Sequence, residues 1–213
     1  MLTHAQLATL AQDAYERAPT WQAKENPRAR AMLDTYFNAP VISIPGTDPS
    51  VPDDLVTDAD CEAAYLTGVG NVHAGFQRIA TQLYPYIVAT VFPGCAQIPQ
   101  VTLTGHSLGG AVAMVLAALM QRDGLAKSIT LVTFGCPRVG AQRLAATLWN
   151  VRKTLYRFGN DPIPEVPWIL WHQFPPVLMM HPTVLTPIGI TKLELLSNHD
   201  ISNYVSALTD LRL

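Results

Sequence analysis

The sequence has 213 residues, of which 49% are hydrophobic and 14% are charged. This length and apolar content suit one folded domain with a substantial core. The same composition excludes a disordered chain. The net charge is −2 and the basic residues are scattered, so we expect no nucleic-acid partner. No stretch of about 18 uncharged apolar residues predicts a transmembrane segment. The first six residues lack a basic start and an apolar run. No signal peptide is therefore visible, and the expected location is cytoplasmic unless a leader has been removed.

Apolar periodicity and turn residues predict helices and strands that alternate along the chain. Helices are predicted over residues 3–17, 27–37, 75–91, 111–121, 141–150 and 199–211. Strands are predicted over residues 41–44, 101–104, 128–134, 154–158 and 190–196. Pro85 is expected to kink the third helix or to end it early. The alternation predicts an α/β fold, with a mainly parallel central sheet and helices on both faces, in one compact domain over residues 1–213.

The segment from Asp48 to Val72 differs from its surroundings, because it is acidic, contains several prolines and glycines, and has few large apolar residues. A segment of this length without a periodic pattern is typical of functional or mobile regions. It is interpreted either as a solvated excursion or as a small mobile element over a site.

A Gly-x-Ser-x-Gly turn at residues 105–109 lies between a predicted strand and a predicted helix. Strand, tight turn and helix together form the context of a nucleophile elbow. Gly105 and Gly109 allow the strand and the helix to approach closely around a strained Ser107. Ser107 is therefore the candidate nucleophile; the alternative is a tight turn that happens to contain a serine.

A serine nucleophile needs a histidine base and a carboxylate that orients it, and after such an elbow the acid precedes the histidine in the chain. Asp161 directly follows a predicted strand and is the candidate acid, with a capping role in its own turn as the alternative. His199 stands where a helix begins and is the candidate base. His172 and His181 lie in an apolar loop rich in proline and tryptophan, where a packed or surface histidine is the better interpretation.

The same chemistry needs hydrogen-bond donors for an oxyanion. The backbone N–H of Leu108 is one expected donor, and the amide of Thr47, after the turn Pro45-Gly46, is the other, with the Thr47 hydroxyl as a further donor. The six histidines lack metal-ligand spacing, and no phosphate or dinucleotide fingerprint is present, so no metal or cofactor is expected.

Four further polar side chains are interpreted as structural. His73 and His106 are expected to support the fold, and Asp200 to cap the last helix. The odd number of cysteines, without metal-type spacing, predicts thiols and no disulfide framework, with Cys136 as a packed thiol.

Seven motifs resemble those of the class-three (fungal-type) lipase family of α/β-hydrolases, and they occur in family order: Ile44–Thr47, Asp54–Asp58, Val72–Phe76, Thr104–Ala111, Thr133–Gly140, Asn160–Pro167, and His199 with Tyr204. The resemblance implies an α/β-hydrolase fold with a catalytic triad of Ser107, Asp161 and His199. It also implies an oxyanion hole formed by Thr47 and Leu108.

The family's lid corresponds to residues 48–60 of this chain. An interfacial lid requires an amphipathic helix with large apolar residues, whereas this segment offers only Val51, Leu55 and Val56 among prolines and aspartates. A short or polar lid with weak interfacial activation is expected.

Residues 166–180 are rich in large apolar side chains. They are interpreted either as the wall of an acyl groove or lipid-facing patch, or as a loop that packs on the core. Ile163, Val166 and Trp168 are the candidate substrate-pocket residues.

The resulting hypothesis is a serine carboxylic-ester hydrolase that cleaves acyl lipids through an acyl-enzyme. Its expected partner is a lipid or other acyl-ester substrate, with transient contact to a lipid interface. One alternative is an esterase for soluble short-chain or aryl esters. A second is a catalytically silent binding or scaffold protein on the same fold.

Overall fold

The computed structural model describes residues 2–47, 62–166, 177–180 and 197–211, and a mixed β-sheet organises this part of the chain. The strands are β1 (Trp21–Ala23), β2 (Asn26–Tyr36), β3 (Ala39–Ile44), β4 (Ala63–Leu66), β5 (Gly70–His73), β6 (Ile98–His106), β7 (Ala126–Phe134), β8 (Arg152–Phe158) and β9 (Val177–Met180). Seven of these described strands form the main sheet in the order β1-β2-β3-β6-β7-β8-β9, and β4 pairs with β5.

The sheet is parallel from β3 to β9 and antiparallel among β1, β2 and β3. This arrangement confirms the predicted mainly parallel sheet. Ile44 pairs with Gly105, and His106 pairs with Phe134. The carboxyl ends of three neighbouring strands are therefore level. In parallel sheets, reactive groups collect at this edge.

The predicted helix over residues 27–37 is wrong, because this stretch is strand β2. Phe37 and Asn38 have positive φ angles of 52° and 58° and join paired residues Tyr36 and Ala39. Two central residues with positive φ form the hairpin turn whose twist suits antiparallel strands. Pairing with β1 and β3 overrides the helical preference of the alanines, Met32 and Leu33.

The helices are α1 (His4–Asp13), α2 (Ala74–Val91), α3 (Leu108–Arg122), α4 (Gln142–Thr147) and α5 (Ile201–Asp210). Each overlaps a predicted helix. Of the two alternatives expected for Pro85, a kink or an early end, the early end is wrong, because α2 continues to Val91. Pro85 has no N–H to donate to the carbonyl of Thr81. Both residues are exposed, so this break in the helical hydrogen bonding lies at the solvent face of α2.

Helices cover both faces of the sheet, as predicted. One apolar cluster combines α2 and α3 with one face of the strands; the other combines α1 and α5 with the opposite face. Helix α3 is buried on all sides from Leu108 to Met120, which is typical of a helix at the centre of a core. The elbow at its start is therefore held by the interior of the molecule.

Strands β4 and β5 form a hairpin within the acidic segment, where no strand was predicted. The amide of His73 donates to the carbonyl of Val139 at 2.9 Å, so the hairpin is tied to the loop after β7. The candidate lid at residues 48–60 and the predicted strand at residues 190–196 lie outside the described residues. None of the helices in the described ranges is both long and apolar enough to cross a membrane.

Candidate active site

Ser107 lies between β6 and α3 with φ of 55° and ψ of −129°, and the residue is 2% exposed. A positive φ at a non-glycine residue marks strain, which often occurs at functional sites. A Cβ at Gly105 would lie 2.5 Å from the Gly109 carbonyl, and a Cβ at Gly109 would lie 2.1 Å from the Ile44 carbonyl oxygen. Both glycines are therefore required by the close approach of backbones, as the sequence predicts.

The turn after β3 packs directly against this elbow. A Cβ at Gly46 would lie 2.9 Å from the carbonyl oxygen of His106 and 3.2 Å from Cβ of Ser107. Thr47 follows this glycine and is half-buried, and Leu108 begins α3 immediately after Ser107. The two segments that carry the candidate oxyanion donors thus lie on either side of the serine.

Asp161 and His199 are in contact, with 2.8 Å between Oδ2 of the carboxylate and Nδ1 of the ring. The same Oδ2 accepts a hydrogen bond from the Tyr204 hydroxyl at 2.5 Å, and Oδ1 accepts one from the Ile163 amide at 2.9 Å. Asp161 is 0% exposed. Both oxygens of this buried carboxylate are satisfied, so the capping role and the role of partner to His199 are served by different oxygens.

The electrostatics favour an ionised Asp161. Burial by itself raises the pKa of this carboxyl group, but the hydrogen bonds and the charge of His199 outweigh burial and hold the pKa below its usual value. A carboxylate can only accept, so Nδ1 of His199 carries a proton. In the neutral ring, Nε2 then has a free lone pair, as a general base requires.

Oγ of Ser107 and Nε2 of His199 are both buried without a hydrogen-bond partner among the described residues. The structure therefore brings Asp161 and His199 into contact but records no hydrogen bond between His199 and Ser107. Ser107 and the Asp161–His199 pair both lie next to the end of β7. The Ser107 amide donates to the Phe134 carbonyl at 2.9 Å, and the next residue, Gly135, lies under the Asp161–His199 pair. Catalytic hydrogen bonds are often loose before substrate binds.

A family model for class 3 lipases matches residues 41–171. The chain belongs to the class 3 lipase family. Relatives include the secreted mono- and diacylglycerol lipase 1 of Fusarium solani, 38% identical over 110 residues, which are 50% of this chain and 32% of that protein. The lipase of Rhizomucor miehei is 39% identical over 105 residues, 45% of this chain and 28% of that protein. The chain thus spans about a third of the length of these curated relatives.

Solved structures agree on the fold. The native Rhizomucor miehei lipase propeptide complex superposes with a TM-score of 0.63 at 22% identity, covering 77% of this chain and 62% of that chain. A fungal lipase crystal structure superposes with a TM-score of 0.56 at 20% identity, covering 94% of this chain and 81% of that chain. The predicted α/β-hydrolase fold of this class 3 lipase family member is confirmed.

The candidate pocket residues are described only in part. Ile163 is 1% exposed and Val166 is half-buried. Trp168, His172 and His181 lie outside the described residues. The pocket assignment stays a prediction.

The polar residues interpreted as structural do support the fold of this lipase family member. Nδ1 of His73 accepts from the Gly75 amide at 3.2 Å and caps α2, and Asp200 accepts from the Ser202 amide and caps α5. Burial raises the pKa of the Cys136 thiol to about 12. Within the described ranges, no group of three or more histidine, cysteine, aspartate or glutamate side chains is placed to hold a metal ion.

Sequence reasoning missed two contributors to the site. Gly135, with φ of 56°, lies so close to the acid and base that a Cβ there would be 2.7 Å from Oδ2 of Asp161 and 2.8 Å from Nδ1 of His199. The Tyr15 hydroxyl lies 2.7 Å from Nδ1 of His106. A glycine directly after a buried strand is a signal for Gly135, whereas Tyr15 follows the apolar pattern of a core residue and carries no such signal.

Proposed function

We propose that the protein is a serine carboxylic-ester hydrolase that acts on acyl lipids, with Ser107 as nucleophile, His199 as base and Asp161 as the acid that orients it. The observation that carries this proposal is the buried Asp161 in contact with Nδ1 of His199, beside a serine on a strained elbow. Membership of the class 3 lipase family supports it.

In the proposed reaction, Oγ of Ser107 attacks the acyl carbonyl carbon while Nε2 of His199 takes the hydroxyl proton. Asp161 stabilises the imidazolium that forms. The oxyanion accepts hydrogen bonds from the amides of Leu108 and Thr47. The intermediate then collapses, His199 returns the proton to the leaving alcohol, and an acyl-enzyme remains on Ser107. Water, activated by His199, repeats these steps and releases the carboxylic acid.

Burial of the reacting atoms supports this chemistry. Oγ of Ser107 and Nε2 of His199 have negligible access to solvent and no competing partner among the described residues. Electrostatic stabilisation of an oxyanion is stronger in such a water-poor site than in water. The positive end of α3, which begins at Leu108, adds to it.

The proposal that the substrate is an acyl lipid rests on the relatives. They are named a secreted mono- and diacylglycerol lipase and a lipase. For this chain we propose an acyl-ester lipid, transient contact with a lipid interface, and a groove that includes Ile163, Val166 and Trp168.

The experiment is hydrolysis of p-nitrophenyl esters with acyl chains of two to sixteen carbons, together with labelling by a fluorophosphonate. Ser107→Ala should lose about a thousandfold or more in kcat and all labelling. Ser43→Ala is the matched control, because Ser43 is a fully buried serine of β3 whose hydroxyl, like that of Ser107, has no partner among the described residues. This variant should keep both activity and labelling.

A wild-type protein that neither hydrolyses any ester nor accepts the label would contradict the enzyme proposal and favour a silent scaffold. A preference for two to four carbons, with no activity on lipid emulsions, would replace the lipid substrate by soluble esters.

A further inference from the structure

The imidazole of His106 links three parts of the site. His106 ends β6, directly precedes Ser107 in the chain, and is 4% exposed. Its Nδ1 lies 2.7 Å from the Tyr15 hydroxyl, and its Nε2 lies 2.7 Å from the backbone carbonyl oxygen of His199. The two histidine rings are tilted by 34° with centroids 4.5 Å apart.

The partners determine which nitrogen carries the proton. A backbone carbonyl can only accept, so Nε2 of His106 must donate to His199. Nδ1 of the neutral ring is then an acceptor, and the Tyr15 hydroxyl donates to it. The two hydrogen bonds therefore run in one direction, from Tyr15 through His106 to the main chain of His199.

The ring is suited to remain neutral beside a base that becomes charged. Burial first, and then the charge of His199, lower the pKa of His106 to about 3. A neutral ring does not repel the imidazolium form of His199 as a charged one would. It therefore donates the same hydrogen bond throughout a catalytic cycle.

We propose that His106 is a positioning residue that anchors the main chain of His199, while Asp161 anchors its side chain. The inference rests on the proposed function. Because Ser107 is the next residue after His106, a single side chain fixes the base relative to the nucleophile. With Nδ1 held by Asp161 and the carbonyl held by His106, the ring has little freedom to turn Nε2 away from the serine.

If the His106–His199 hydrogen bond positions the base, its loss must lower turnover and leave substrate binding unchanged. In His106→Phe the ring volume and stacking remain but the donor is lost, and we expect kcat for a soluble ester to fall by about 10- to 100-fold with KM unchanged. His106→Gln keeps an amide donor with similar reach, and we expect it to retain kcat within about threefold of wild type.

The matched control is His4→Phe. His4 forms a similar pair, with Nδ1 2.6 Å from the Tyr156 hydroxyl, and lies on α1. This variant loses a histidine–tyrosine contact without touching the His106–His199 bond, so its kcat should equal that of wild type.

Three kinetic results would overturn the inference: a folded His106→Phe with wild-type kcat, a His106→Gln as slow as the phenylalanine variant, or an equal loss in His4→Phe.

If His106→Phe does not fold, nitrogen NMR of the wild-type protein with labelled histidine decides, since it distinguishes the two neutral ring forms. His106→Gln identifies the signal by its loss. The expected form carries its proton on Nε2 from about pH 5 to pH 9; a proton on Nδ1 would refute the inference.

Failure of the proposed function has a different signature. A wild-type protein without hydrolysis or labelling contradicts that function, and the positioning role with it. An active wild type with an unaffected His106→Phe contradicts the positioning role alone.

Discussion

Replacing Gly135 with alanine should disrupt the Asp161–His199 pair without changing either residue. The new Cβ would lie 2.7 Å from Oδ2 of Asp161 and 2.8 Å from Nδ1 of His199, whereas ordinary contacts begin at 3.4 Å. The carboxylate must therefore retreat by about 0.7 Å and the ring by about 0.6 Å. A misplacement of about 1 Å in a catalytic group costs roughly a hundredfold in rate, so we expect kcat to fall by about that factor.

The same substitution also strains the backbone. Gly135 has φ of 56°, a region where alanine costs about 1–2 kcal/mol. Gly124→Ala is the matched control, since Gly124 has φ of 63° and no atom lies within 4 Å of its added Cβ. Both variants should lose similar backbone stability, but only Gly135→Ala should lose activity.

The assay combines kcat on a soluble ester with urea unfolding of both variants and wild type. If Asp161 and His199 are displaced, kcat of Gly135→Ala should be roughly a hundredfold lower than that of Gly124→Ala. If Gly135→Ala retains kcat within about threefold of Gly124→Ala, the reasoning is refuted, because the site then tolerates separation of its acid and base.

Three further predictions concern the same site. Asp161→Asn should lower kcat by about 10⁴-fold, since an amide does not hold His199 in the required tautomer; kinetics on a soluble ester measure this, and a loss below tenfold would contradict it. Tyr204→Phe removes a donor to a buried carboxylate and should lower the free energy of unfolding by about 1–3 kcal/mol at pH 7. The pKa of Asp161 is lower in the folded protein than in the unfolded chain. This stabilisation is therefore present above the pKa of the unfolded chain and should be lost as the pH falls through the pKa of the folded protein. Urea unfolding at a series of pH values measures the loss. His106 has its pKa lowered to about 3 by burial, against about 6.5 in the unfolded chain, so the unfolded state binds the proton first as pH falls. The charged groups around that ring are His199, Asp161 and Asp200, and they remain in His106→Gln. Between pH 7 and pH 5 wild type should therefore lose about 2 kcal/mol more in the free energy of unfolding than His106→Gln does; equal losses in urea titrations would refute the assignment of a neutral buried ring.

Sequence reasoning succeeded where the chemistry depends on residues that are neighbours in the chain. The elbow at Ser107 needs small residues at fixed offsets, so its pattern is visible in the sequence. The turn at Asp161 follows strand β8, and His199 lies in the turn just before α5. The strand and helix expected next to each of these residues are present, and their catalytic roles stay predictions.

The errors arise where distant segments decide the structure. Residues 26–36 carry alanine, methionine and leucine at spacings that suit a helix. They form β2 instead, because β1 and β3 pair with them on either side. Gly135 and Tyr15 contribute through contacts with residues far away in the chain. The place of Gly135 directly after a buried strand is a local signal, but no local pattern shows which distant residues Gly135 and Tyr15 contact.

The two apolar clusters on opposite faces of the sheet have a consequence for thermal inactivation. Ser107 is supported by the cluster around α3, whereas Tyr204, which holds the acid next to His199, belongs to the cluster of α1 and α5. Proteins open locally in cooperative units of unequal stability. An opening that releases α1 and α5 would remove Tyr204 and displace His199, while the elbow with His106 and the parallel strands with Asp161 stay folded. Heat inactivation would then follow the detachment of two helices, and cooling would restore activity without refolding the sheet.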